Sequence, residues 1–468
     1  MKRRTWISWA ATSTRLVVGA AGAAGIVLVV GIGVAAPWPT HERAPLSVEV
    51  TPTPADTVLS CAGPLIALAR DATQAGGLTA AATSDVVSAS VGADADISTS
   101  ASVPGVAGSE GATVVTANPE NGSRSDAAAS GSASVAADDI RGFAASACQP
   151  TRIESWLVGG STTTGSGDLI LLSNPSDVVA TVDLSLYGAT GLTLPPGGAD
   201  LVVAARTQRI VPLAALGVGE EAPVVRVTAA GAPVAAALQS SITRTLLPGG
   251  VDQSGMVAGA ANTHVIPGVQ VAQSAVDAAD AGATTLLRLL SPGLAGSVDI
   301  AVQDQTGAEV LRRDVPVEAD RPAEVDLAGL AAGSYVVTVR AEVPVVAAVW
   351  QATGLGENAD FVWNTPADVL DKPALVAVPD GPSPLLVLAA TAGPAQVTLE
   401  PVSGGGAEQR VTVDAGGVAT VALTPGTVYR LDSGSPVRAS VAFLGDGAIG
   451  GFPVLPADAA AAALTVHP

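Results

Sequence analysis

Three times along this chain a strand-like run ending in proline opens a segment, and a Pro-Val hinge into small residues closes it. The opening runs are Leu169-Ile-Leu-Leu-Ser-Asn-Pro175, Leu286-Leu-Arg-Leu-Leu-Ser-Pro292 and Leu385-Leu-Val-Leu-Ala-Ala-Thr-Ala-Gly-Pro394. The closing hinges begin at Pro233, Pro344 and Pro436. Opening prolines stand 117 and then 102 residues apart, closing prolines 111 and then 92. A self-similar unit of roughly 100 residues, all strands and turns, is the size of one β-sandwich. The expected fold is therefore mainly β: three tandem immunoglobulin-like β-sandwich modules behind one N-terminal transmembrane helix.

Boundaries follow from shifts in composition. Residues 1–15 read as a basic cytoplasmic N-terminus, 16–36 as the anchor and 37–54 as a Pro-rich spacer. The first sandwich spans 55–262 with a low-complexity insertion at about 71–147, the second spans 263–370 and the third 371–458. Residues 459–468 form a tail. Leu16 to Ala36 carries no charge over 21 residues, long enough to cross a hydrocarbon core. Lys2, Arg3, Arg4 and Arg15 precede or flank it, so the positive-inside rule puts the N-terminus in the cytoplasm and the rest outside. A cleaved signal peptide ending at Val34-Ala35-Ala36 is the competing reading. The spacer's prolines cannot sit in a helix or central strand, which predicts a stiff extended link.

The net charge is −20, and the +4 of residues 1–36 leaves −24 on the remainder. Such a body repels phosphate backbones, which excludes nucleic acid as a partner. Cys61 and Cys148 are the only cysteines, both on the exported side, and an even number there predicts a disulfide. Their spacing fits neither a redox Cys-x-x-Cys nor a zinc site.

In the second and third repeats a tyrosine, Tyr335 or Tyr429, precedes the closing hinge by 7–9 residues. Its place matches the corner tyrosine of immunoglobulin-like sandwiches. Alternation in Val178–Tyr187, Ser297–Val302 and Ala395–Leu399 marks half-buried strands. Short Val/Leu-x-Pro junctions at Pro267, Pro379 and Pro456 predict a semi-rigid rod.

A Cys-x-Gly-Pro at Cys61, a second cysteine before Trp156-Leu-Val-Gly-Gly160, the Leu172-Ser-Asn-Pro175 strand end and repeated β-modules behind one membrane segment together resemble a known family. It is an uncharacterised actinobacterial family of membrane-anchored β-repeat proteins, known only as a domain of unknown function. The resemblance runs over roughly residues 55–460 and implies an exported, anchored β protein. It supplies no activity and no catalytic residue.

Residue by residue, no chemistry assembles: the expectation is no catalytic residue, no cofactor and no metal ligand. Gly445-Asp-Gly447-Ala-Ile-Gly450 has dinucleotide-fingerprint spacing, but Gly451-Phe-Pro453 follows where a helix is needed, so it reads as a glycine hairpin. His41, His264 and His467 are too scattered to share a site, and His264 reads as a junction residue. Asp94, Asp96, Asp138 and Asp139 lack the further oxygens of a calcium site and read as solvated acids. Among the tryptophans beyond the spacer, Trp363 is the best candidate for an exposed binding aromatic, although packing between modules is the favoured reading even there. Expected partners are the membrane, through residues 16–36, and an envelope protein or glycan. The function expected is a non-catalytic, membrane-anchored scaffold or accessory protein of the cell envelope, or else a glycan-binding module or hydrolase of the cell wall.

Overall fold

A computed structural model describes residues 5–35, 48–50, 53–68, 77–91, 96–109, 111–120, 124–278, 283–457 and 464–466. The fold is mainly β, with 57% strand and 8% helix. The chain divides into two compact units, one of residues 1–52 with 462–468 and one of residues 53–461.

The smaller unit holds the helix Thr5–Ala35, whose stretch Thr14–Val34 is long and apolar enough to cross a membrane, with mean hydropathy 2.4. Such a helix serves as an anchor or as a signal sequence. The Val48–Val50 strand pairs antiparallel with Leu464–Val466, so part of the expected spacer is a strand and part of the expected tail is its partner. The rest of the spacer up to Pro52 lies outside the described residues.

In the larger unit one strand order recurs over residues 154–255, 261–364 and 374–453. Numbering eight strand positions within each stretch, with the fourth of the first stretch split into Gly191–Thr193 and Leu201–Val203, one sheet runs first–sixth–third–fourth and the other fifth–second–seventh–eighth. In the middle stretch a single 20-residue strand, Gly333–Ala352, serves as both sixth and seventh: Tyr335–Ala341 pairs in one sheet and Val346–Gln351 in the other. Period-2 patterning explains the third strands. In Ala180–Gly188, Val182, Leu184 and Leu186 enter the core while Asp183 faces out. The corner tyrosines behave as expected: Tyr335 Oη donates to Ala331 O at 2.8 Å, and Tyr429 Oη accepts from Thr424 N at 3.2 Å.

The expected insertion at 71–147 is corrected. Its described part forms strands, among them Asp85–Val91, Asp126–Ala136 and Arg141–Ala147, which make a three-stranded sheet with the middle strand central. Leu65, Ala133, Val135, Ile140 and Ala144 form a core there. Low complexity misled because small side chains still form a buried sheet when neighbours cover both faces.

These neighbours also replace the expected rod. Residues 57–147 and the three recurring stretches pack in a cycle. Ala62 and Ile66 meet Leu169 and Leu171; Trp156, Val158 and Val224 meet Val346, Ala348 and Trp350. Val265 and Val336 meet Val387 and Ala442; Leu375 and Val428 meet Val87 and Ala89, which closes the cycle. Four strands lie at its centre, each at the edge of its own sheet: Arg141–Ala147, Leu247–Gly255, Phe361–Asn364 and Ala448–Pro453. Each packs beside the next, and the last beside the first.

Candidate functional site

Edge strands present unpaired N–H groups, and burying them without acceptors costs free energy. At the starting end of the four inner strands one side chain supplies those acceptors. Asp360 Oδ2 accepts from Phe143 N at 2.9 Å and Ile449 N at 3.2 Å, and Oδ1 accepts from Val251 N at 3.1 Å. These three amides belong to three different parts of the cycle, and Asp360 itself directly precedes the remaining inner strand, Phe361–Asn364. Glycine makes the room: a Cβ on Gly142 would collide with Asp360 Oδ1, and one on Gly250 would lie 2.6 Å from Phe361 Cδ1. Both glycines have positive φ, 143° and 116°. Burial drives the Asp360 carboxyl well above the usual carboxylate range, with the N–H bonds pulling the other way.

Its neighbour Asp252 is buried as well. Asp252 Oδ2 accepts from Trp363 N at 2.8 Å, while Oδ1 has no partner. Burial pushes its carboxyl up to about 7.

Trp363 is therefore not an exposed platform. It is 5% exposed, packed in the seam with Trp156 and Trp350, and the guanidinium of Arg288 lies 4.6 Å from its ring centre. Of the two readings, exposure is corrected and packing between parts is what the structure has: the loop-like stretch ends in the Phe361–Asn364 strand, buried along its whole length. Arg288 donates to Gly160 O at 2.7 Å, Pro223 O at 3.0 Å, Glu221 O at 3.2 Å and Glu324 Oε1 at 2.8 Å. Asp168 lies close by, accepting from Ser161 N and Ser241 N; burial pushes its carboxyl up to about 7, against the pull of those bonds and of Arg288.

At the finishing end of the inner strands lies a cleft of about 910 Å³, within the range of small-ligand and peptide sites. Its walls are the successive chain connections: Ala147–Arg152, Met256–Ala261, Pro366–Val369 and Phe452–Ala457. The floor is rich in alanine, and Asp126, Gln149, Arg152, His264, Asp368 and Arg438 add polar groups to the lining. His264 Nε2 lies 2.6 Å from Val345 O, a pure acceptor, so that nitrogen carries the proton. Burial holds the imidazole below its ordinary value. Arg438 donates to Ala367 O, its buried Nε is without a partner, and burial lowers its pKa. Cys148 lines the same cleft and is joined to Cys61 by the expected disulfide, S–S 2.00 Å.

A model described as a family of unknown function, DUF5719, matches residues 103–426. The chain belongs to that family. No curated protein matches it. The DUF5719 match begins inside the first β part and ends just after the connection that precedes Tyr429, so it covers the seams, Asp252, Arg288 and Asp360.

Other sequence candidates are not brought into this DUF5719 site. Asp138 and Asp139 sit in the turn before Arg141–Ala147, Asp138 exposed, and Asp96 begins the strand Asp96–Ala101. His41, Asp94 and His467 lie outside the described residues. Among the described residues no group of three or more His, Cys, Asp or Glu side chains is placed to hold a metal. Gly445 pairs with Ala448 across a two-residue hairpin turn, as its glycines suggest. Sequence reading missed Asp360, Asp252 and Arg288. For Asp360 the available signal was an acid directly before the wholly apolar Phe361-Val-Trp363.

Proposed function

We propose that this DUF5719 protein is a non-catalytic scaffold or accessory protein of the cell envelope. Its N-terminal helix holds it in the membrane, and residues 53–461 lie outside the cytoplasm. The observation that carries this reading is the use made of the buried charges. Asp360, Asp252 and Arg288 bond backbone groups of neighbouring parts. Groups that an enzyme would hold ready for substrate are here committed to joining β parts. The disulfide agrees with an oxidising compartment, and the basic cluster before the helix agrees with an N-terminus inside.

The recurring eight-strand pairs are best read as three tandem immunoglobulin-like sandwiches, with residues 57–147 as a reduced fourth part. The glycan-binding alternative loses its main support with the burial of Trp363, since sugar platforms need an open aromatic face. A partner of the envelope would engage the body at the alanine-lined cleft. A photo-crosslinking residue replacing Thr263 in the cleft wall should capture the same envelope protein repeatedly, and one replacing Leu192 on an exposed strand should not. Turnover of purified wall polysaccharide, or saturable sugar binding by the intact protein, would overturn the scaffold reading.

A further inference from the structure

We infer that Asp252 and Asp360 make the junction of the four β parts sensitive to protons, holding it more firmly in mildly acidic than in neutral surroundings. Both side chains are buried, 1% and 0% exposed, and both stand where separate parts of the chain meet. Asp252 on the Leu247–Gly255 strand reaches the amide of Trp363, and Asp360 gathers those of Phe143, Val251 and Ile449. Asp252 is buried between the parts and no protein donor is within hydrogen-bond geometry of its Oδ1, so burial favours the protonated acid. A carboxylate there has only the N–H dipoles of Trp363 and Gln253.

The charged residues at this end of the strands are Asp138 and Asp139 before the first and Arg141 at its start, and Arg244 before the second. Glu357 precedes the third and Asp446 the fourth. Arg141 donates to Asn358 at 2.5 Å and Arg244 to Gly249 O at 3.5 Å, so neither is given over to the buried acids. The groups acting on Asp360 are the amides of Phe143, Val251, Ile449 and Phe361.

The sign follows from proton binding. In the unfolded or opened chain both acids lose their proton near pH 4. In the closed junction Asp252 keeps its proton to about pH 7 and Asp360 also holds its own abnormally long. Between those limits the closed state binds more protons, so stability falls as pH rises, and it levels off above the folded value. Each such group shifts the opening equilibrium up to about tenfold per pH unit. Asp168 at the neighbouring seam acts in the same direction. His264, held neutral by burial, acts in the opposite direction below its ordinary value, so a global melting curve mixes the signs and a local readout is needed.

The test is hydrogen exchange by mass spectrometry on the full chain in detergent, corrected for intrinsic rates, following peptides that cover the four inner strands. Wild-type protection there should fall at least about tenfold from pH 5 to pH 7. Asp252→Asn keeps an acceptor for Trp363 N and imitates the protonated acid. It should be more protected than wild type at pH 7, with a clearly shallower fall from pH 5. Asp360→Asn should flatten the profile in the same way, and if it does not fold, Asp252→Asn carries the comparison. Protection that stays within about threefold in wild type, or a fall that Asp252→Asn leaves unchanged, overturns the inference.

Discussion

Removing Arg288 should loosen the seam between residues 154–255 and 261–364 more than any other single truncation there. Its side chain is 3% exposed, yet it is a cation. It donates to three backbone carbonyls, Gly160, Pro223 and Glu221, all from the preceding part of the chain, and lies over Trp363. Arg288→Ala strands those acceptors, at about 1 kcal/mol each on the low side for carbonyls. It also loses a desolvated cation–π contact of about 2 kcal/mol. Glu324 is 32% exposed and returns to water at little loss. Against these stands relief from burying a guanidinium, several kcal/mol in the opposite direction, while the cavity left by the side chain adds to the loss. The net expectation is a loss of about 3–5 kcal/mol, the range found when one partner of a buried charged set is deleted. Arg288→Met fills the space but leaves the carbonyls bare, about 2–3 kcal/mol. Arg288→Lys keeps the charge but a point donor cannot serve the same fork, so a similar loss follows. Denaturant unfolding followed by tryptophan fluorescence suits the measurement, because Trp156, Trp350 and Trp363 all report on this seam. If Arg288→Ala unfolds within about 0.5 kcal/mol of wild type, the seam does not depend on this side chain.

Further outcomes follow from the same contacts. Cys61→Ser opens a bridge over a separation of 87 residues, and the chain-entropy model gives roughly 4–5 kcal/mol; thermal melts with and without reductant check this, and a shift under about 1 °C would refute it. Because Cys148 directly follows the inner strand Arg141–Ala147, the loss should reach residues 374–453 through Phe143 and Phe443, 5.3 Å apart, and not stay local. Gly142→Ala should destabilise by about 2–3 kcal/mol, since its methyl collides with Asp360 and φ is unfavourable; Gly259→Ala, with open space around it, is the control in the same melts. Tyr335→Phe should lose about 1 kcal/mol by freeing the Ala331 carbonyl, readable as a shift in denaturant midpoint at constant slope.

What the sequence made legible was whatever repeats or alternates. Period 2 found the half-buried strands, the opening prolines fall in the three stretches where one strand order recurs, and the tyrosines before the closing hinges bond the turns that precede them. What it hid was the relation among copies, because each seam is made by residues that face away from their own core. The second strands show how this works. Ile170 and Leu172 enter the core of the first copy while Leu171 faces the preceding part; Leu386 and Leu388 do so in the third while Val387 faces the second. In the second copy the outward position between Leu287 and Leu289 is Arg288. Aligned on Pro175, Pro292 and Pro394, an arginine stands where its counterpart in the first copy is leucine, inside a strand too apolar to be solvated. That mismatch was readable, and it marks the one seam where carbonyls of Gly160 and Pro223 needed a donor. Asp360 was harder, since its partners are backbone amides that leave no trace in side-chain pattern. Its trace lies in the positions that had to be small, Gly142 and Gly250, one residue before Phe143 and Val251. A single carboxylate can serve several strand edges when the equivalent positions on neighbouring strands stay small, here Gly142, Gly250 and Ala448. One acid and two glycines at equivalent places thus form a single constraint, and it becomes visible only when the closing hairpins are compared with one another.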